Sequence, residues 1–138
     1  MGDIDPAGPA AAPAHPRGRV LVVDDEAFVR TSLTRVLGLE HDVVGLGDGR
    51  EALELLLGGE RFDAVLCDLM MPSVSGMELH AALRAEAPEA ARRMVFMTGG
   101  VFTDEAQAFL ASVENPRIDK PFQLEELRAL IRALVAGA

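Results

Sequence analysis

With 138 residues, the chain is long enough for one core and too short for two ordinary domains. Its formal net charge of −9 repels phosphate backbones and anionic headgroups, which argues against direct nucleic-acid binding. A single cysteine, Cys67, excludes an internal disulfide, and the absence of a signal-like start or of a run of about 18 apolar residues argues against membrane insertion; a cytoplasmic home is the expectation.

Residues 1–18 alternate Pro6, Pro9, Pro13 and Pro16 with alanine and glycine, a segment too poor in large apolar side chains to repay its ordering entropy. It reads as a disordered lead-in or linker, and 19–138 as the folded domain. Strand-length apolar runs then alternate with segments of helical period, the pattern of βα units on a parallel sheet. Val20–Val23 is the first strand, followed by a helix from about Glu26 to Leu37 with Val29, Leu33, Val36 and Leu37 on one face, closed by Gly38. The second strand, Asp42–Leu46, passes through Gly47, Asp48 and Gly49 into a helix carrying Leu53, Leu56 and Leu57. Gly45, Gly47 and Gly49 have dinucleotide-fingerprint spacing but follow the second strand rather than the first, so a tight turn is preferred.

The third strand is Ala64–Cys67, after which Met71 and Pro72 form a loop and a helix beyond Gly76 presents Leu79 and Leu83 until Pro88 breaks the pattern. Arg93–Met97 is the fourth strand. The fourth helix carries Ala106, Phe109, Leu110 and Val113; the short fifth strand lies around Arg117 and Ile118; the fifth helix carries Leu124, Leu127, Leu130, Ile131 and Leu134. The pattern predicts a doubly wound α/β sheet of five parallel strands, with five helices in two layers.

In such a sheet, ligands sit at the carboxyl ends of the strands. Those ends carry Asp24 and Asp25, Asp68, Thr98, and Asp119 with Lys120. Converging carboxylates call for proton sharing or a hard cation, and Mg²⁺, content with one or two carboxylates plus water and phosphate oxygens, is the natural candidate. A carboxylate is also a nucleophile toward phosphorus, and Asp68, at the sheet centre, is the choice for an aspartyl phosphate. Lys120 is the only lysine among thirteen basic residues. Its compact charge suits a phosphoryl oxygen in a crowded pocket better than the planar fork of arginine. Bland readings stand beside these: Asp24 and Asp25 as helix-capping acids, Thr98 as a strand-end hydroxyl, Asp119 as a solvated loop residue, and Cys67, turned away from Asp68, as a core thiol. His15, His41 and His80 lack metal-ligand spacing and read as surface residues.

The ordered set Val22, Val23, Asp24, Asp25, Glu26, then Asp68, Met71, Pro72 and Gly76, then Thr98, then Lys120, Pro121 and Phe122 resembles the CheY-like receiver family of two-component response regulators, from about Arg19 to Val135. The resemblance implies a flavodoxin-like fold with strand order 2-1-3-4-5, and that Asp24, Asp25 and Asp68, with the backbone carbonyl of Met70, hold Mg²⁺. It implies that Asp68 accepts a phosphoryl group from a histidine kinase or a histidine phosphotransfer protein, with Thr98 and Lys120 contacting its oxygens, and that the Lys120–Pro121 bond is cis. No enzyme activity is expected beyond self-catalysed phosphoryl transfer and autodephosphorylation. A homodimer through the fourth helix, fifth strand and fifth helix is compatible with the family.

The sequence departs from the family three residues before Lys120, where an aromatic toggle is common and Arg117 stands instead; Phe102 or Arg117 itself is the candidate substitute. Met70 and Gly100 take the family's variable positions beside the phosphoryl group, and their lack of acidic or donor side chains implies a long-lived phosphoryl state. Two rival readings are a receiver fold used only for docking and, with less support, a Mg²⁺-dependent aspartyl-phosphate phosphohydrolase. The Pro/Ala lead-in resembles a linker from a preceding kinase core, which leans the parent toward a hybrid sensor kinase.

Overall fold

Successive side chains of a strand point to opposite faces, so central strands that are apolar throughout need a layer of helices on each side of the sheet. In the computed structural model, which describes residues 16–99 and 103–137, the elements run β1 (Arg19–Val23), α1 (Ala27–Leu37), β2 (Asp42–Leu46), α2 (Gly49–Leu57), β3 (Ala64–Asp68), α3 (Gly76–Glu86), α4 (Pro88–Arg92), β4 (Met94–Thr98), α5 (Asp104–Ser112), β5 (Arg117–Asp119) and α6 (Leu124–Val135). The strands pair in parallel in the order β2-β1-β3-β4-β5. Val20, Val22, Ala64, Leu66, Val95 and Met97 meet Leu33 and Leu37 of α1 and Leu127 and Ile131 of α6. Leu21, Val23, Val65, Cys67, Met94 and Phe96 meet Ala52 and Leu56 of α2, Leu79 and Leu83 of α3, Ala91 of α4 and Ala106 of α5 on the opposite face.

Six helices stand among the described residues where five are expected. Pro88 ends the preceding pattern but also opens α4, because a proline at the first helical position lacks only an N–H that would have had no partner. Asn115 fastens the far end of this short helix to the sheet, its Nδ2 donating to the carbonyls of Ala91 and Met94 at 2.8 and 2.9 Å.

Two of the histidines are not surface residues. His41 is 1% exposed, and its Nδ1 accepts from Gly18 N at 3.2 Å, pinning the chain where it enters β1. His80 is buried against the rings of Phe96 and Phe109, whose centroids lie 5.8 and 5.3 Å away. Burial pushes both imidazoles below their ordinary pKa. His15, Gly100, Phe102 and most of the 1–18 lead-in lie outside the described residues.

The glycine spacing around the end of β2 is a turn, as expected: Gly45 lies in β2, Gly49 opens α2, and the Asp48 side chain caps that helix by accepting from Arg50 N at 3.0 Å. Glycine is required at two places that shape the loop after β3. A Cβ on Gly49 would stand 2.3 Å from the carbonyl oxygen of Val74, and one on Gly76 would stand 2.7 Å from that of Asp68. Backbone therefore approaches backbone at both points, and the 69–75 segment is wedged between α2 and the start of α3. A capping box on Ser75 and Glu78 fixes where α3 begins.

Candidate phosphoryl and metal site

Parallel strands deliver all their carboxyl ends to one edge, and the register decides which side chains meet there. Val23 is level with Cys67, so the residues that follow, Asp24 and Asp68, stand side by side; Thr98 is level with Asp119. Asp24 is fully buried. Its N–H donates to Leu46 O at 3.1 Å, its Oδ1 accepts from Glu26 N at 2.9 Å, and its carbonyl accepts from Arg30 Nη1 at 2.8 Å. These bonds fix the carboxylate's position before any ligand arrives.

Asp24, Asp25 and Asp68 each offer a carboxylate oxygen within 4.8 Å of the others. The donors are all hard oxygens, from the fully buried Asp24, the largely buried Asp68 and the exposed Asp25, leaving one side open to solvent; that set and its openness fit Mg²⁺ with retained waters. Lys120 extends its Nζ into the same cluster, 3.1 Å from Asp24 Oδ2, 3.5 Å from Asp68 Oδ2 and 3.6 Å from Glu26 Oε1. The Lys120–Pro121 peptide bond is cis.

The electrostatics are those of crowded like charges with one cation among them. Burial pushes the Asp68 carboxyl above the ordinary carboxylate range; the Lys120 ammonium draws it back, and the charge of Asp24 raises it further. For Lys120, burial works against the charged form, but the hydrogen bond to Asp24 and the charges of Asp68, Asp24 and Glu26 outweigh it and raise its pKa. Asp68 Oδ1 also accepts from Met70 N at 3.4 Å, so Met70 touches the site through its backbone while its side chain is exposed. Cys67, one residue earlier, points into the core, and burial raises its thiol well above the usual range, which leaves it unreactive.

Of the residues singled out from sequence, Asp24, Asp25, Asp68 and Lys120 are brought together, with Met70 beside them. Thr98 is buried at the end of β4, and its Oγ1 donates to Asp119 Oδ1 at 2.5 Å. Asp119 is therefore a strand residue holding a neighbour's hydroxyl rather than a free loop carboxylate. The signal that could have found it is its place level with Thr98 across β4 and β5, which depends on strand register and is invisible in one dimension. Glu26 is a further acid at Lys120, a contact that its place in the motif does not by itself reveal.

A family model described as response regulator receiver domain matches residues 20–132. Response regulator MprA of Mycolicibacterium vanbaalenii is 41% identical over 118 residues, covering 85% of this chain and 50% of that protein; the chain thus spans about half the length of the curated relatives it matches. Among solved structures, the receiver domain of the Francisella response regulator 1452 superposes with a TM-score of 0.73 at 25% identity, covering 88% of this chain and 98% of that one. The receiver domain of the Pseudomonas aeruginosa sensor histidine kinase PA1611, which has a magnesium ion coordinated in its active-site cleft, is similar in fold, with a TM-score of 0.74 at 24% identity over 88% of this chain and 99% of that one. With the match extending from β1 into α6, and an acidic, lysine-bearing strand edge at the centre of that span, the chain belongs to the response regulator receiver domain family.

Proposed function

We propose that the chain is the phosphoacceptor module of a two-component relay, taking a phosphoryl group onto Asp68 from a histidine kinase or a histidine phosphotransfer protein. The observation that carries this reading is the position of Asp68: a largely buried carboxylate with two acidic neighbours within 4.8 Å and the chain's single lysine at 3.5 Å. An Asp68 carboxylate oxygen attacks phosphorus, the P–N bond of the donor phosphohistidine breaks, and its electron pair returns to the imidazole ring, which takes up a proton. Asp24, Asp25 and Asp68, with the Met70 carbonyl, would hold Mg²⁺, which when bound neutralises charge on the phosphoryl oxygens. Lys120 supplies a positive charge to the same oxygens, and Thr98 a hydroxyl once it is released from Asp119. Adding about −2 charge beside these groups then shifts the population between two arrangements of the strand edge, changing which partners bind.

Sequence relatives named as response regulators favour such a regulator, rather than a hybrid sensor kinase, as the parent of the module. The non-acidic Met70 beside Asp68 supports a long-lived phosphoryl group; rapid loss of label after removal of the donor would count against that. The test of the main reading is incubation with Mg²⁺ and acetyl phosphate, followed by intact mass. One added phosphoryl group that requires both Asp68 and metal is the expected result. A folded protein that binds Mg²⁺ yet gains nothing, even from a histidine-phosphorylated donor, would favour the docking-only reading.

A further inference from the structure

A hydroxyl has one proton to donate, and that of Thr98 is already engaged with Asp119 at 2.5 Å. The contact follows from strand pairing, because residues level with each other in a parallel pair project to the same face and Thr98 is level with Asp119. Arg117, two residues earlier in β5, shares that face and brings its Nε to 3.9 Å from the same Asp119 Oδ1. Thr98 is buried, whereas the side chains of Asp119 and Arg117 are 63% and 47% exposed. The three residues thus form a polar path from the strand edge beside Asp68 to the outer surface of β5.

We propose that Asp119 is a positioning residue that latches the resting state, competing with the phosphoryl group on Asp68 for the single proton of Thr98. When Thr98 turns to a phosphoryl oxygen, the Asp119 carboxylate loses its hydroxyl donor and keeps Arg117 as its cationic neighbour. The event at Asp68 is then read at β5 as a rearranged Asp119–Arg117 pair, at the position where Arg117 stands. This inference rests on the phosphoacceptor reading.

The latch makes the binding-competent state only fractionally populated, so breaking it raises apparent affinity for a phosphoryl mimic. The probe is beryllium trifluoride with Mg²⁺, titrated into ¹⁵N-labelled chain while following the Thr98 amide and the Arg117 Nε–Hε signals. For the wild type, both signals should move together on saturation. Asp119→Ala should bind about fivefold tighter, and its resting Thr98 signal should already lie displaced toward the bound position. Asp119→Asn, whose amide oxygen still accepts from the hydroxyl, should gain less. In a Thr98→Val background, Asp119→Ala should gain nothing, a coupling that a merely structural role would not produce. Equal affinities of the wild type and both Asp119 variants overturn the latch. So does a gain that is the same for the Asn and Ala variants and persists in the Thr98→Val background, since removal of charge alone would then explain it. A wild-type chain that binds Mg²⁺ but not the fluoride fails the phosphoacceptor reading itself, and the latch falls with it; the two failures are distinguished by the wild-type titration.

Discussion

Replacing Asp68 by asparagine should stabilise the metal-free protein at neutral pH. At an effective dielectric constant of about 20, the attraction between Asp68 and Lys120 at 3.5 Å is about 5 kcal/mol, and the repulsion from Asp24, within 4.8 Å, is about 3.5 kcal/mol or more, to which the exposed Asp25, within the same distance, adds a solvent-screened share. The small remainder is outweighed by the several kcal/mol it costs to bury an ion, consistent with the raised pKa of this carboxyl. A neutral amide in place of the carboxylate escapes repulsion and burial cost alike, while Lys120 keeps Asp24 and Glu26 as partners. The expected gain is on the order of 1 kcal/mol, or about 4 °C in Tm, read by circular dichroism in EDTA at pH 7. The sign with pH follows from the raised pKa: the contribution of Asp68 to folding is complete below the ordinary value of 3.8 and is lost as pH rises through the folded-state value. The advantage of Asp68→Asn should therefore fade in acid. Mg²⁺ at tenfold its Kd should stabilise the wild type by about 1.4 kcal/mol and the variant by less, closing or reversing the gap. A variant that melts below the wild type in EDTA at pH 7 would show that the Lys120 pair dominates, and would refute this account of the site's charge.

Glu40 is clasped by Arg128 at 2.7 Å and Arg132 at 2.5 Å, and the hydrogen bonds from Arg132 and then Arg128 hold its carboxyl down at about 2. Allowing for solvent screening at a one-fifth exposed side chain, Glu40→Gln should cost about 1 to 2 kcal/mol at pH 7 by urea denaturation, with the difference present above pH 4.5 and lost as pH falls toward 2. His41 and His80 have pKa values lowered by burial, so stability should be complete above the ordinary 6.5 and decline below it by up to about 1.4 kcal/mol per pH unit for each histidine; chemical denaturation between about pH 7.5 and 5.5 that shows no such decline would contradict their burial. Gly76→Ala should displace the Asp68 carbonyl it would meet at 2.7 Å, costing about 2 kcal/mol in denaturant titrations and lowering the yield of phosphorylation, whereas Gly59→Ala, with no atom within 4 Å but a left-handed φ of 101°, should lose stability without altering that yield.

Element type and the acidic, lysine-bearing edge were legible in the sequence because they depend on local pattern: apolar runs on the strands, helical spacing between them, and polar residues at each strand's end; the strand order, which no local pattern encodes, came from the family resemblance. Asp24, Asp68 and Lys120 are far apart in the chain, yet a parallel sheet has only one edge to which its carboxyl ends can go. Tertiary structure decided what pattern cannot encode. His41 and His80 are buried because particular partners, Gly18 in one case and the Phe96 and Phe109 rings in the other, close over them. Pro88 opens a helix rather than only ending one, because Asn115, across a strand, secures the last turn. Asp119 holds the Thr98 hydroxyl because register sets those two residues level, and register is a property of two strands together, settled by how both pack against the same core.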